Sequence, residues 1–197
     1  MTSIVLATED ELSEEVCLKL AQEVGLTVHQ RLRRGGSGYL KSRVMNFRQM
    51  AEHIPVLMLT DLDQSVCAPT LMSDWLGLQQ GPPGFLFRVA VREVESWLLA
   101  DHASMSDFLG LNMGALPNEP DQLNDPKQAL LTLAQRARRD VRDDLVARRG
   151  AIASQGLGYN ARLCNLVRQA WSPHLASERS PSLARTRFRL REFVAAQ

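Results

Sequence analysis

Short apolar runs that stop at polar turns alternate with stretches of helical period through the first half of the chain. Ile4-Val5-Leu6-Ala7 is β-branched and gives way to Thr8-Glu9-Asp10, the pattern of a buried strand ending in an acidic turn. Leu12, Val16, Leu20 and Val24 then recur at helical spacing, and Gly25 follows where a helix end favours a left-handed residue. Thr27 to Arg33 alternates Val28 and Leu32 with polar positions and predicts an edge strand. Beyond the flexible Gly35-Gly36-Ser37-Gly38 connection, Val44, Phe47 and Met50 predict a helix over about Leu40 to His53. Val56-Leu57-Met58-Leu59 is the most hydrophobic strand, and it runs into Thr60-Asp61-Leu62-Asp63. A helix from about Pro69 to Leu78, a Gly-Pro turn and a strand at Phe85 to Val91 complete the alternation expected of a mostly parallel sheet. Ligands of such sheets collect at the C-terminal ends of the strands.

After Val91 the pattern is helical. Arg92 to Asp101 carries Val94, Trp97 and Leu98 on one face, and Ser104 to Leu109 runs up to Gly110. The stretch from Leu111 to Asn124 is rich in Pro, Asn and Gly and reads as an ordered loop. Asp125-Pro126 starts a strong helix, with Asp suited to the cap and Pro to the first turn. Further helices are predicted around Asn160 to Trp171, with Asn160 as its cap, and Ser182 to Ala195.

The acids at the strand ends carry the candidate chemistry. Asp61 and Asp63, separated by one residue, face the same way if strand geometry persists, and a turn can swing both into one coordination sphere. Magnesium takes oxygen ligands, keeps several waters and is commonly held by one or two carboxylates. If the first and third strands are parallel neighbours, Glu9 emerges beside this pair, and a cation compensates the repulsion of clustered carboxylates. The bland reading gives Glu9, Asp10 and Glu11 to a helix N-terminus and Asp61 and Asp63 to a solvated turn. Glu93 and Glu95 form another acidic group after the fourth strand. They stand about 200° apart on a helix starting near Arg92 but can converge on an extended turn, and Glu95 is the preferred ligand.

Composition narrows the class without deciding it. The chain has 197 residues, of which 45% are hydrophobic, enough for one substantial core. No leader-like start and no run of about 18 apolar residues is evident, so a secreted or membrane-spanning protein is not expected. Cys17, Cys67 and Cys164 are widely spaced and suggest neither a disulfide framework nor a thiolate zinc site, which fits a reducing cytoplasm. The net charge of +1 hides an asymmetry: residues 1 to 110 carry 14 acids against 9 Lys and Arg, and the remainder 8 against 14. A basic half able to meet phosphates beside an acidic, metal-like half suits a protein that processes nucleic acid, although solvated helix faces give similar counts. Lys127, just after a helix start, is the candidate phosphate contact, whereas the arginines from 136 to 142 have Asp140, Asp143 and Asp144 to neutralise them.

The order Glu9, Asp61-x-Asp63, then Glu93 or Glu95 resembles the TOPRIM-like fold shared by topoisomerases, primases and the overcoming-lysogenisation-defect (OLD) nucleases. That resemblance covers about residues 1 to 101 and implies Mg²⁺ or Mn²⁺ held by Glu9, Asp61 and Asp63, with Glu93 or Glu95 as the extra acid of the nuclease branch. Where that fold commonly has glycine after the first glutamate, this chain has Asp10. Through Arg88-Val89-Ala90-Val91-Arg92-Glu93-Val94-Glu95-Ser96-Trp97-Leu98-Leu99-Ala100-Asp101 and Asp125-Pro126-Lys127, nearly the whole chain is similar to a bacterial family of small TOPRIM-like proteins. This second resemblance implies an ATPase partner protein and a role in phage defence. The expected architecture is a mostly parallel four-stranded TOPRIM/Rossmann-like sheet flanked by helices over residues 1–101, followed by an all-helical extension over 102–197. The expected activity is a metal-dependent nuclease using Glu9, Asp61, Asp63, Glu95 and Lys127. The alternative is a non-catalytic subunit of an ATPase complex that binds a metal or a partner. Tyr39 and Tyr159, the two tyrosines, are not in settings that suggest a topoisomerase nucleophile.

Overall fold

Val5 and Ala7 point to one side of the first strand and Ile4 and Leu6 to the other, and all four are buried. Such a strand needs cover on both faces, which is the signature of a parallel sheet between helices. The computed structural model, which describes residues 2–77, 81–148 and 150–197, has that arrangement. β1 (Ser3–Thr8), β2 (Thr27–Arg33), β3 (Val56–Asp61) and β4 (Phe85–Ala90) are parallel throughout, in the order β2-β1-β3-β4. They are linked by α1 (Glu11–Glu23), α2 (Ser37–Met50) and α3 (Ala68–Leu76). Gly25 has φ +75°, the left-handed geometry expected after α1. The third helix stops at Leu76, capped by Gly77, and its expected end at Leu78 lies outside the described residues.

Met58 and Phe87 meet Leu40, Val44 and Phe47 of α2 and Leu71 of α3 in one core layer. The opposite face, with Leu57 and Leu59, is where α1 brings Leu12, Val16 and Leu20. Each such side chain contributes roughly 1.5–3 kcal/mol by leaving water. β2 is the edge that its polar alternation predicts, and its Arg31 and Arg33 reach Glu14 of α1 at 3.7 and 3.4 Å.

The chain divides into two compact units, Met1–Val91 with Ala184–Gln197, and Arg92–Leu183. The sheet unit thus includes most of the last helix, α10 (Pro181–Ala195). There Arg187, only 6% exposed, donates from Nε to Glu23 at 2.9 Å and from a second nitrogen to the same carboxylate, which Arg191 also reaches at 3.1 Å. These bonds, Arg187 first, hold the Glu23 carboxyl below its ordinary value of 4.5. Glu23→Gln is expected to cost about 2 kcal/mol, because it leaves a buried guanidinium without its counter-charge. The stabilisation is complete above the unfolded value and lost as pH falls through the lower folded one, so the gap between wild type and variant should close on acidification below 4.5. Urea unfolding at several pH values checks this, and a gap independent of pH would contradict it.

The helical unit comprises α4 (Glu95–Ala100), α5 (His102–Leu109), α6 (Pro126–Ala134), α7 (Arg139–Leu145), α8 (Tyr159–Gln169) and α9 (Pro173–Ala176), with the start of α10 (Pro181–Ala195). All six residues of α4 are buried, and it packs on α5, α6 and α9. Asp101, fully buried, closes this centre: its carboxylate accepts from the Ser104 amide (3.2 Å) and hydroxyl (2.6 Å) and from the Ser172 amide (2.8 Å). Asn160 is not the cap of α8 as expected. Gly158 is, and it makes no side-chain cap bond; a Cβ there would stand 2.7 Å from the Asp144 side chain, and one at Gly156 would run into the Asp144 carbonyl. Among the described residues no helix is long and apolar enough to cross a membrane, and the three cysteines are free.

Candidate metal centre

Strand order decides where the sheet unit can hold a ligand. From β1 the chain crosses to β2 on one side, while β3 lies on the other, so the crevice between the C-terminal ends of β1 and β3 is the topological switch point. Glu9 follows β1 directly and Asp61 ends β3. Oε1 of Glu9 accepts the Asp61 amide at 3.0 Å and the Thr60 hydroxyl at a shorter distance. Its neighbour Asp10 serves the helix and caps α1 by accepting the Ser13 amide at 2.8 Å. Consecutive acids are thus divided between the crevice and the helix, and the Asp10 that stands in the usual glycine position has φ −140°, which any residue adopts. The Gly36 amide bonds the Glu9 carbonyl at 3.1 Å, tying the start of α2 to the same turn.

Beyond Asp61, Leu62 is buried and its amide bonds the Ala90 carbonyl of β4 at 2.9 Å. Asp63 then takes φ +48°, a left-handed conformation uncommon for a residue other than glycine and concentrated at functional turns. Asp61 is half-buried and Asp63 exposed. Burial pushes the Glu9 carboxyl above its ordinary value. The bonds from Thr60 and Asp61 oppose this, and the negative charges of Asp63 and Asp10 add to it. A carboxylate held partly dry among other carboxylates is a place where a cation relieves electrostatic cost. Among the described residues no group of three or more His, Cys, Asp or Glu could by itself hold a metal ion. By donor type alone, carboxylate oxygens suit Mg²⁺ or Mn²⁺, which retain waters, better than the closed N/S shell of structural zinc.

The remaining expected residues gather in the helical unit. Arg92, at φ +60°, interrupts the backbone before α4, so the helix begins at Glu95 rather than near Arg92. Glu93 and Glu95 then both address one residue. Oε2 of Glu93 accepts the backbone amide of Lys127 at 2.8 Å, satisfying a donor in the first turn of α6, whose Asp125 cap takes the Gln128 amide at 2.7 Å. Oε1 of Glu95, 3% exposed, lies 3.4 Å from Lys127 Nζ and accepts the Tyr159 hydroxyl at 2.9 Å. The ammonium also lies 5.9 Å from the centre of the Tyr159 ring. Burial raises the Glu93 carboxyl, the Lys127 amide opposes it, and the charge of Glu95 adds to it. Tyr159 is buried and its hydroxyl is turned to Glu95, so the ring is not offered to a nucleic-acid base. Its bond to Glu95 spans 64 residues, and no local spacing could reveal it. Thr60 is a further residue that the spacing of acids does not mark, although a hydroxyl closing the most apolar strand is a readable signal.

The basic half spends many of its arginines internally. Arg139 and Arg142 meet Asp143, and Arg162 meets Asp144 at 2.6 Å and Asp140 at 3.2 Å. Neither a protein-family model nor a curated protein matches the chain. Among solved structures, the C-terminal region of the Burkholderia pseudomallei OLD protein is similar over 98% of this chain and 98% of that one, at 15% sequence identity and a TM-score of 0.45.

Proposed function

We propose that the protein is a divalent-metal-dependent phosphodiesterase acting on nucleic acid. The observation that carries this reading is the meeting of Glu9 with the start of the Asp61-Leu62-Asp63 turn at the switch point of a parallel sheet. Glu9, Asp61 and Asp63 would hold Mg²⁺ or Mn²⁺. Such an ion supplies Lewis acidity toward a phosphoryl oxygen and lowers the pKa of a bound water. The chain's own residues do the positioning: Thr60 and the Asp61 amide fix the Glu9 carboxylate, and Asp10 holds the N-terminus of α1 behind it. As a separate proposal within the helical unit, Lys127 is a phosphate contact, with Glu95 and Tyr159 as positioning residues that keep its ammonium in place. No covalent nucleophile is needed.

The test is cleavage of single- and double-stranded DNA and RNA with Mg²⁺ or Mn²⁺. Asp61→Ala is expected to lower the rate by about 10³-fold or more at unchanged melting temperature. Absence of cleavage on every substrate with both metals, or full activity in Asp61→Ala, would overturn the proposal. Mn²⁺ binding at these residues without cleavage would favour the non-catalytic subunit instead.

A further inference from the structure

β4 is an edge strand of apolar residues, Phe85-Leu86-Phe87-Arg88-Val89-Ala90, with one cation in its middle. Arg88 pairs across the ladder with Leu59 and shares the face of Leu86, away from the Phe87 and Val89 core layer. Its Nε is buried and has no hydrogen-bond partner among the described residues. The charge that acts on it most clearly is a second cation, Arg189 of α10, and burial together with that repulsion brings the Arg88 pKa down to about 10. Arg189 itself is exposed and pairs with Glu192 at 2.7 Å, and among the described residues no ion pair reaches Arg88. A largely dry guanidinium beside another, with no acid of its own, is costly unless an anion completes it.

Both arginines line a cavity of about 390 Å³, within the range of small-ligand pockets, and no acid lines it among the described residues. Its other walls include Met72 and Leu76 of α3 with Pro82 and Phe85. These residues lie where α3 ends and β4 begins, at the N-terminal end of the sheet, whereas Glu9, Asp61 and Asp63 lie at the C-terminal ends. The cavity is therefore separate from the metal centre.

We infer that this cavity binds a small organic phosphate, its phosphate held by Arg88 and Arg189 and its apolar body against Met72, Leu76, Pro82 and Phe85. Guanidinium forks match the several oxygens of a phosphate better than the two of a carboxylate. The test is titration of the full chain with phenyl phosphate, inorganic phosphate and benzoate by calorimetry. Phenyl phosphate is expected to bind with a Kd below about 1 mM and roughly tenfold more tightly than either of the others. Arg88→Met keeps the apolar stem and removes the charge. It should weaken phenyl phosphate binding at least about tenfold while melting no lower than wild type, since the Nε it removes has no hydrogen-bond partner among the described residues. Arg189→Gln should weaken binding likewise. No binding at about 10 mM, equal affinity for phenyl and inorganic phosphate, or unaltered binding in Arg88→Met would each overturn the inference. So would a marked fall in the melting temperature of Arg88→Met, which would make Arg88 a structural residue.

Discussion

Trp97→Ala is expected to cost on the order of 4 kcal/mol, among the largest losses from a single truncation in the helical unit. Trp97 and Trp171 are the largest fully buried side chains, so alanine at 97 opens a cavity that the surrounding helices can close only in part. The indole also does polar work: Nε1 donates to the Ser182 hydroxyl at 2.7 Å, at the start of α10. The Trp97 carbonyl accepts from Nε1 of Trp171 at 3.1 Å, so two tryptophans and the first turn of α10 depend on one turn of α4. Trp97→Phe retains most of the volume and loses chiefly the bond to Ser182, for an expected loss of about 1–2 kcal/mol. Urea unfolding followed by near-ultraviolet circular dichroism separates the two variants. A loss under about 1 kcal/mol in the alanine variant would show that α4 is not the centre of this unit.

Glu9→Gln is expected to reduce Mn²⁺ affinity and metal-dependent cleavage by about 100-fold or more, yet to leave the melting temperature unchanged or raised. The amide oxygen of glutamine can still accept the Asp61 amide and the Thr60 hydroxyl, so the local bonds survive. What disappears is a charge held partly dry, near Asp63 and Asp10, and removing it relieves desolvation and repulsion. Opposite signs for function and stability are the mark of a residue selected for its charge rather than for packing. Calorimetric titration with Mn²⁺ and a melting curve on the same sample check both halves. A variant that melts well below wild type would assign Glu9 to the fold instead.

The sheet was legible because its strands are short apolar runs ending in polar turns, and β2 announced itself as an edge through exposed His29, Arg31 and Arg33. The separation of Glu9 from Asp10 was also readable, since Asp10 stands where α1 needs a cap and Glu9 stands where β1 ends. Glu93 and Glu95 were not. Their spacing is a local fact, but their geometry follows from the left-handed Arg92 and from Lys127, which lies 34 residues beyond Glu93. α7 and α9, of seven and four residues, are too short for a helical period to show. Arg88 was hidden for the opposite reason: one cation in an apolar run reads as a strand position facing water, and only the fold shows that its Nε does not.

The sheet unit is assembled from both ends of the chain, and that imposes an order in time. Residues up to Val91 leave the ribosome with all four strands, but without Arg187 for Glu23 or Leu190 and Phe193 for burial. At roughly 5–20 residues per second, Arg92–Leu183 takes several seconds to make, and through that interval the nascent sheet waits, incomplete, for the helix that finishes it. Synthesis therefore delivers the helical unit whole before the sheet can close, so the part of the chain made first is the part that matures last.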